Sequence, residues 1–213
     1  MQSADVVVVG AGVNGLSSAF HLATAGVKRV VVVEQRHVGA GATGKSGALV
    51  RTHYTNEPET RLAFESLKYF QNWGDMVGGE CGFQPVGLLV FTPPAFRDHL
   101  DANVAMHRRV GANACVLTAA EAQQLDPSLE VSDVTHVGYE PESGFADPNA
   151  TAFSFARAAT RHGVEIQLET LVTRILTEGE RVTGVETSRG TINAARVLVA
   201  AGAWANQLFQ PLG

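Results

Sequence analysis

The sequence predicts an α/β fold in which a largely parallel sheet with flanking helices is interrupted by an inserted α+β domain. Three observations carry this expectation. Two all-valine runs, at 6–9 and 30–33, bracket a stretch of helical period. Glycines sit between the first run and that helix. The pattern changes over about 83–145 and then returns to the long-period order of the opening segment, as expected where one domain is inserted into another.

Asp5–Val9 has the β-branched composition of a buried parallel strand, since such strands are covered on both faces and need no polar alternation. Val13–Ala25 is apolar at helical spacing, Gly26 stands where helices end, and Arg29–Glu34 supplies the second strand. Together they form a βαβ unit of the usual size. A helix is expected over Asn56–Trp73, with Pro58 near its start and Leu62, Phe64, Leu67, Tyr69 and Phe70 on its apolar surface; Gly74, Gly78, Gly79 and Gly82 then break the chain.

In the middle region, "GLLVF" reads as a strand, Pro93–Pro94 as a stop and Phe96–Val110 as an exposed helix. "TAAEAQQLDP" reads as a helix capped by Thr118 with Glu121 three positions on. A helix over Ala150–His162 follows, then the strands of "GVEIQLET", of "LVTRILTEGERVTGVETS" with its glycine-centred turn, and of "ARVLVAAGAW". These should extend the first sheet and add a small meander. The expected domains are 1–82 and 146–213 as two segments of one domain, with 83–145 inserted.

Bulk properties narrow the function. A chain of 213 residues with 45% hydrophobic content can bury one substantial core and a satellite. A net charge of −5 with scattered Lys and Arg leaves no basic face for nucleic-acid phosphates or anionic lipid. The apolar start is broken by Gly10 and Gly12, so neither a signal peptide nor a membrane span is expected. Cys81 and Cys115 are the only cysteines and lie in no metal-ligand spacing; a reduced, cytoplasmic setting and no metal site are expected.

Two glycine loops compete for a phosphate-binding role. Gly39–Ser46 satisfies G-x-x-x-x-G-K-[ST], the nucleotide-hydrolase loop, with Lys45 in the lysine position. That loop must run directly from a strand into a helix, yet five residues intervene after Glu34 and "GALVRTHY" beyond Ser46 has no helical period. Gly10-Ala11-Gly12-Val13-Asn14-Gly15 fits G-x-G-x-x-G in the right context, with a strand before, a helix after, and Glu34 at the end of the next strand, 34 − 15 = 19 residues on. Gly10 permits the tight turn, Gly12 lets a pyrophosphate approach the backbone and Gly15 lets helix and strand pack closely. Glu34 can accept hydrogen bonds from a ribose diol. The first domain is therefore expected to be Rossmann-like, and the 39–48 loop to be a second wall of one dinucleotide site.

These segments resemble the FAD-dependent amine and amino-acid oxidoreductases that include D-amino-acid oxidase, glycine oxidase and the sarcosine oxidases. The likeness rests on "VVVVGAGVNGLSSAFHLATAGVKRVVVVEQ", "GATGKSGALVR", "SGFADPNATAFSFARAATRHGVEI" and "ARVLVAAGAWANQL", in that order and over nearly the whole chain. It implies FAD as cofactor, with Gly10, Gly12, Val13 and Gly15 at the pyrophosphate, Glu34 at the adenosine ribose and Gln35 beside the adenine. It also implies Thr43, Gly44 and Ser46 on the flavin-side loop, the Val172 backbone at the adenine, and Ala201 and Gly202 near the cofactor. Arg51 and Tyr54 resemble an Arg and Tyr near the flavin that bind substrate, the Arg pairing with a carboxylate through its planar fork; a surface ion pair is the competing reading of Arg51.

The implied reaction is oxidation of a small amine or amino acid by hydride transfer to flavin, with O₂ or another carrier as acceptor. No catalytic residue is assigned. His53 reads as a packed or solvated side chain, and Trp73 and Trp204 as core or cofactor-adjacent packing. "GFADPN" offers neither His nor Cys for covalent flavin attachment. Family members run well beyond the "AAGAW" segment, so the substrate domain is expected to be incomplete here, and partner subunits are possible. The alternatives are an inert dinucleotide-binding module that needs a further half or partner chain, and an NAD-dependent dehydrogenase, which the flavin-side loop disfavours.

Overall fold

A computed structural model describes residues 2–212. The chain divides into two compact units: residues 1–47, 77–81 and 147–213 form the first, and 48–76 and 82–146 the second.

The first unit is built on a four-stranded parallel sheet in the order Val197–Val199, Val6–Val9, Val30–Val33, Glu165–Gln167. The two valine strands pair in register, Val6 with Val30 through Val9 with Val33, and every valine in them is buried. Each such burial is worth roughly 1.5 kcal/mol or more, which explains why the runs show no polar alternation. Val7, Val9, Val31 and Val33 point into a cluster with Ile175, Val185 and Ile192. Those last three belong to a second sheet, ordered Gln2–Ala4, Gly190–Ala194, Arg181–Thr187, Val172–Glu178. It is the expected meander, with one parallel pairing added by the strand at 2–4. Helices Val13–Thr24 and Pro148–Arg161 pack on each other, Phe20 lying 5.8 Å from Phe155 between ring centroids.

The second unit holds a three-stranded antiparallel sheet, Leu88–Phe91, His136–Glu140, Cys115–Thr118, and a two-stranded ribbon, Leu49–Val50 with Gly144–Phe145. Its longer helices are Glu57–Gln71 and Arg97–Val110. The first is capped by Asn56, whose side chain accepts from the Glu59 N–H at 3.0 Å. Thr118 and Glu121 form the capping box expected from the sequence, on helix Ala119–Leu125. Trp73 is core, 5% exposed and packed against Phe70.

Residues 48–76, which the sequence reading assigns to the first domain, group with the second unit. The ribbon ties Leu49–Val50 to Gly144–Phe145, and Val50, Leu67 and Ala146 share one core cluster. Pairing across 95 residues leaves no local signal, so the boundary at 48 is invisible in the sequence pattern.

Candidate cofactor cleft and a buried histidine cluster

The first unit carries a cleft of about 420 Å³ at the C-terminal ends of Val6–Val9, Val30–Val33 and Val197–Val199. This is where open parallel sheets bind ligands. Gly10 (φ 107°) starts the turn, and a Cβ there would lie 2.6 Å from the Ala200 carbonyl oxygen. A Cβ on Gly15 would fall inside contact distance of the Gly10 carbonyl oxygen, so helix and strand approach as closely as expected for the third glycine. Leu16 is the first helical residue whose N–H returns to the chain, to Gly12 at 3.0 Å. Ahead of it the helix start lacks intrahelical acceptors; the Val13 N–H is taken by Thr43 Oγ1, and those of Asn14 and Gly15 are presented at the helix N-terminus. Helices 57–71, 97–110 and 119–125 carry acids in their first turns, and Asp147 caps 148–161. Helix 13–24 has neither an acid nor a side-chain cap there, which leaves its positive end unopposed for an anion.

Glu34 is held on all sides by backbone. Its N–H donates to Gln167, its carbonyl accepts from Thr170, and its carboxylate accepts from Ala11 N–H at 2.9 Å and Arg36 N–H at 2.8 Å. An ionised carboxylate has about four lone-pair sites, so one site on each oxygen remains for a diol. Because Thr170 N–H bonds to Glu34, the chain running into Val172 is drawn along the same wall. Thr43 Oγ1 accepts from Val13 N–H at 3.0 Å and keeps its own O–H to donate.

Of the sequence-predicted cofactor residues, Gly10, Gly12, Glu34, Gln35, Thr43, Val172, Ala201 and Gly202 line the cleft. Val13, Gly15, Gly44 and Ser46 do not, although Val13 and Gly15 shape the turn behind it. At Gly44 a Cβ would meet the Gly39 carbonyl oxygen at 2.6 Å, so this glycine serves the closure of its own loop. That loop contains one 3₁₀ turn, Thr43–Lys45, followed by extended backbone at Ser46, and it lacks the strand-to-helix path of a hydrolase loop. Sequence reasoning missed Asn14, Arg36 and Gln207 on the cleft. Trp204 lines it as well and is 43% exposed, which makes it cleft-adjacent and not core.

In the second unit, Arg51 Nη1 donates to the His53 carbonyl at 2.6 Å, and its guanidinium lies 4.7 Å from the Tyr54 ring centroid. Arg51 and Tyr54 are thus brought together, and among the described residues Arg51 has no carboxylate partner. His53 is not solitary. It is buried edge-on to His107, ring centroids 4.6 Å apart, with Glu140 beside both. Glu140 is 1% exposed and accepts from Thr52 N–H, Thr52 Oγ1 and Ser143 Oγ at 2.7–3.0 Å. Burial, reinforced by His107 and opposed by Glu140, pushes the His53 imidazole below its ordinary pKa range. Positions 53, 107 and 140 lie on a loop, a helix and a strand, and no spacing rule could have joined them.

The fold and cleft define a dinucleotide-binding α/β protein, and comparison with known proteins makes this specific. Residues 5–213 match the family described as FAD dependent oxidoreductase, and the chain belongs to that family. It is 30% identical over 220 residues to the sarcosine oxidase subunit beta of an Arthrobacter species, covering 100% of this chain and 54% of that one. It is 26% identical to the mitochondrial dimethylglycine dehydrogenase of Rattus norvegicus, covering 99% of this chain and 25% of that one. Among solved structures, L-proline dehydrogenase from P. horikoshii superposes with a TM-score of 0.91 at 28% identity, over 98% of this chain and 55% of that one. Glycine oxidase from Geobacillus kaustophilus does so with a TM-score of 0.83 at 26% identity, over 100% and 59%. The chain therefore spans between a quarter and about half of the curated relatives' length. No helix among the described residues is long and apolar enough to cross a membrane.

Proposed function

We propose that this chain forms the FAD-binding part of an enzyme that oxidises a small amine or amino acid, of the sarcosine or glycine class. The observation that carries the reading is the cleft: a glycine turn, an acid-free helix N-terminus and a doubly anchored Glu34 converge on one groove. These residues fit the group. The helix N-terminus, with the N–H groups of Asn14 and Gly15 and the hydroxyl of Thr43, would hold the pyrophosphate, Glu34 the ribose hydroxyls, and the backbone at Val172 the adenine. Bound FAD supplies the hydride-accepting ring that no side chain can provide.

Arg51 would bind a substrate carboxylate with the N–H groups not used by the His53 carbonyl, and Tyr54 would keep its guanidinium plane oriented by stacking. Both residues then serve positioning, the main contribution a protein makes to hydride transfer between two bound partners. Glu34 faces the ribose, where a 2′-phosphate would be repelled, so FAD is preferred over NADP. The natural assembly would add further protein, from this chain's continuation or from partner subunits, in keeping with the subunit name of the Arthrobacter relative. A reducing, cytoplasmic setting suits a chain with only two cysteines.

The test is acid extraction of the purified protein followed by anaerobic bleaching with sarcosine, glycine, L-proline and D-amino acids. Release of FAD and bleaching by one of these, with peroxide formed on admitting air if O₂ is the acceptor, is expected. A stoichiometric NADP complex, or FAD that no amine reduces, overturns the reading.

A further inference from the structure

The geometry points to a divalent transition-metal site in the second unit, formed by His53 Nδ1, His107 Nδ1 and a Glu140 carboxylate oxygen, with Zn(II) as the expected occupant. Each of the three residues offers one ligand atom within 4.8 Å of those of the other two, and all three residues are buried. Glu140 Oε1 is 3.7 Å from His107 Nδ1 and 3.9 Å from His53 Nδ1, too far for hydrogen bonds. Among the described residues, both Nδ1 atoms lack any hydrogen-bond partner. Two buried, unpartnered ring nitrogens turned to the same carboxylate leave a polar gap that an ion would fill.

The tautomer at His107 supports this. Its Nε2 lies 2.8 Å from the Tyr54 carbonyl, which can only accept, so Nε2 carries a proton and Nδ1 is the ring nitrogen left to present a lone pair to an ion. A ring whose far N–H is tied to a backbone carbonyl is how metal-binding histidines are usually oriented. The carboxylate is braced in the same manner, by Thr52 N–H, Thr52 Oγ1 and Ser143 Oγ. Ligands bound at about 2.0–2.2 Å stand roughly 3.0–3.6 Å apart, so closing on an ion asks for movements of about an ångström at the ring tips. Two imidazoles and one carboxylate suit Zn(II) and its first-row neighbours, and are too poor in oxygen for Ca(II) or Mg(II).

Such an ion would fasten three distant segments: the loop at 51–54, helix Arg97–Val110 and strand His136–Glu140. With His107 at 0% exposure and Glu140 at 1%, the ion would be buried and its role structural, the fourth position that three protein ligands leave being taken by an enclosed water. The site stands independently of the function proposed for the cleft.

The test measures metal in the untagged full-length protein, wild type and the His53→Asn and Glu140→Gln variants, by elemental analysis after gel filtration and by Co(II) loading. About one equivalent is expected in the wild type, with visible Co(II) absorption, and at least a tenfold loss of affinity in each variant. If the variants do not fold, chelator treatment of the wild type should lower its melting temperature by several degrees, restored by Zn(II). A folded wild type that takes up less than about a tenth of an equivalent of Zn(II), Co(II), Ni(II) or Mn(II) overturns the site. So does undiminished metal in both variants, or a melting temperature indifferent to chelator and to Zn(II).

Discussion

The cleft of the first unit and the histidine cluster of the second gather polar groups in opposite ways. In the cleft the donors are mainly backbone: helix-start N–H groups, the Ala11 and Arg36 amides around Glu34, and the Val13 amide on Thr43. They are presented by two glycines whose missing Cβ atoms let strands, turn and helix meet. In the cluster the groups are side chains, sealed from water and delivered by segments far apart in sequence. A backbone site is set by local conformation, so a short motif can encode it. A side-chain cluster is set by packing, so each member matters only where the others have arrived.

The sharpest break in that contrast is Gly15→Val. Its side chain would collide with the Gly10 carbonyl oxygen, backbone that cannot yield, and a loss of ~3 kcal/mol or more is expected in urea unfolding followed by circular dichroism. An unchanged midpoint would mean that helix and strand are not this close. Glu140→Ala comes next. It strands two buried donor groups of Thr52 and one of Ser143, and about 3 kcal/mol should be lost in the same assay, with Glu140→Gln losing clearly less.

Glu34→Gln keeps the shape but turns an amide N–H toward one of the backbone donors at Ala11 or Arg36. Fluorescence titration should give roughly tenfold weaker FAD binding, ~1.4 kcal/mol, with reduced discrimination against NADP. Equal affinity would remove Glu34 from the site. Thr43→Val deprives the Val13 N–H of its acceptor, and about 1 kcal/mol of stability should go with it. Lys45→Ala is the smallest change: the side chain is exposed, so stability should stay within about 0.5 kcal/mol, and magnesium-dependent ATP hydrolysis should be absent before and after. Hydrolysis lost in that variant would restore the nucleotide-hydrolase reading of the loop.

The sequence was readable where structure is local. Val6 to Glu34 contains strand, turn, helix and strand in one run, and the Thr118 cap is satisfied within three residues. The strand at 115–118, the ribbon joining 49–50 to 144–145 and the cluster at 53, 107 and 140 were not readable. Each depends on a partner fixed only by the tertiary fold. The histidines of helix 97–110 illustrate this: its Arg and His content reads as an exposed helix, and His99 is exposed, yet His107 is fully buried beside Leu100, Val104 and Met106 on the helix's buried side.

The order of strands in the parallel sheet carries a consequence for how the molecule is made. The two valine strands are neighbours in sequence and can pair as soon as the intervening helix forms, whereas the flanking strands at 165–167 and 197–199 enter from far down the chain. Long loops close slowly because their entropy is lost before contacts compensate for it. Thr170 to Val172 and Ala200 to Leu208, which complete the walls of the cleft, follow directly on those late strands. A nascent chain therefore owns the glycine turn long before it owns a groove. Its cofactor would act as a clamp on the finished sheet, slowing unfolding far more than it hastens folding.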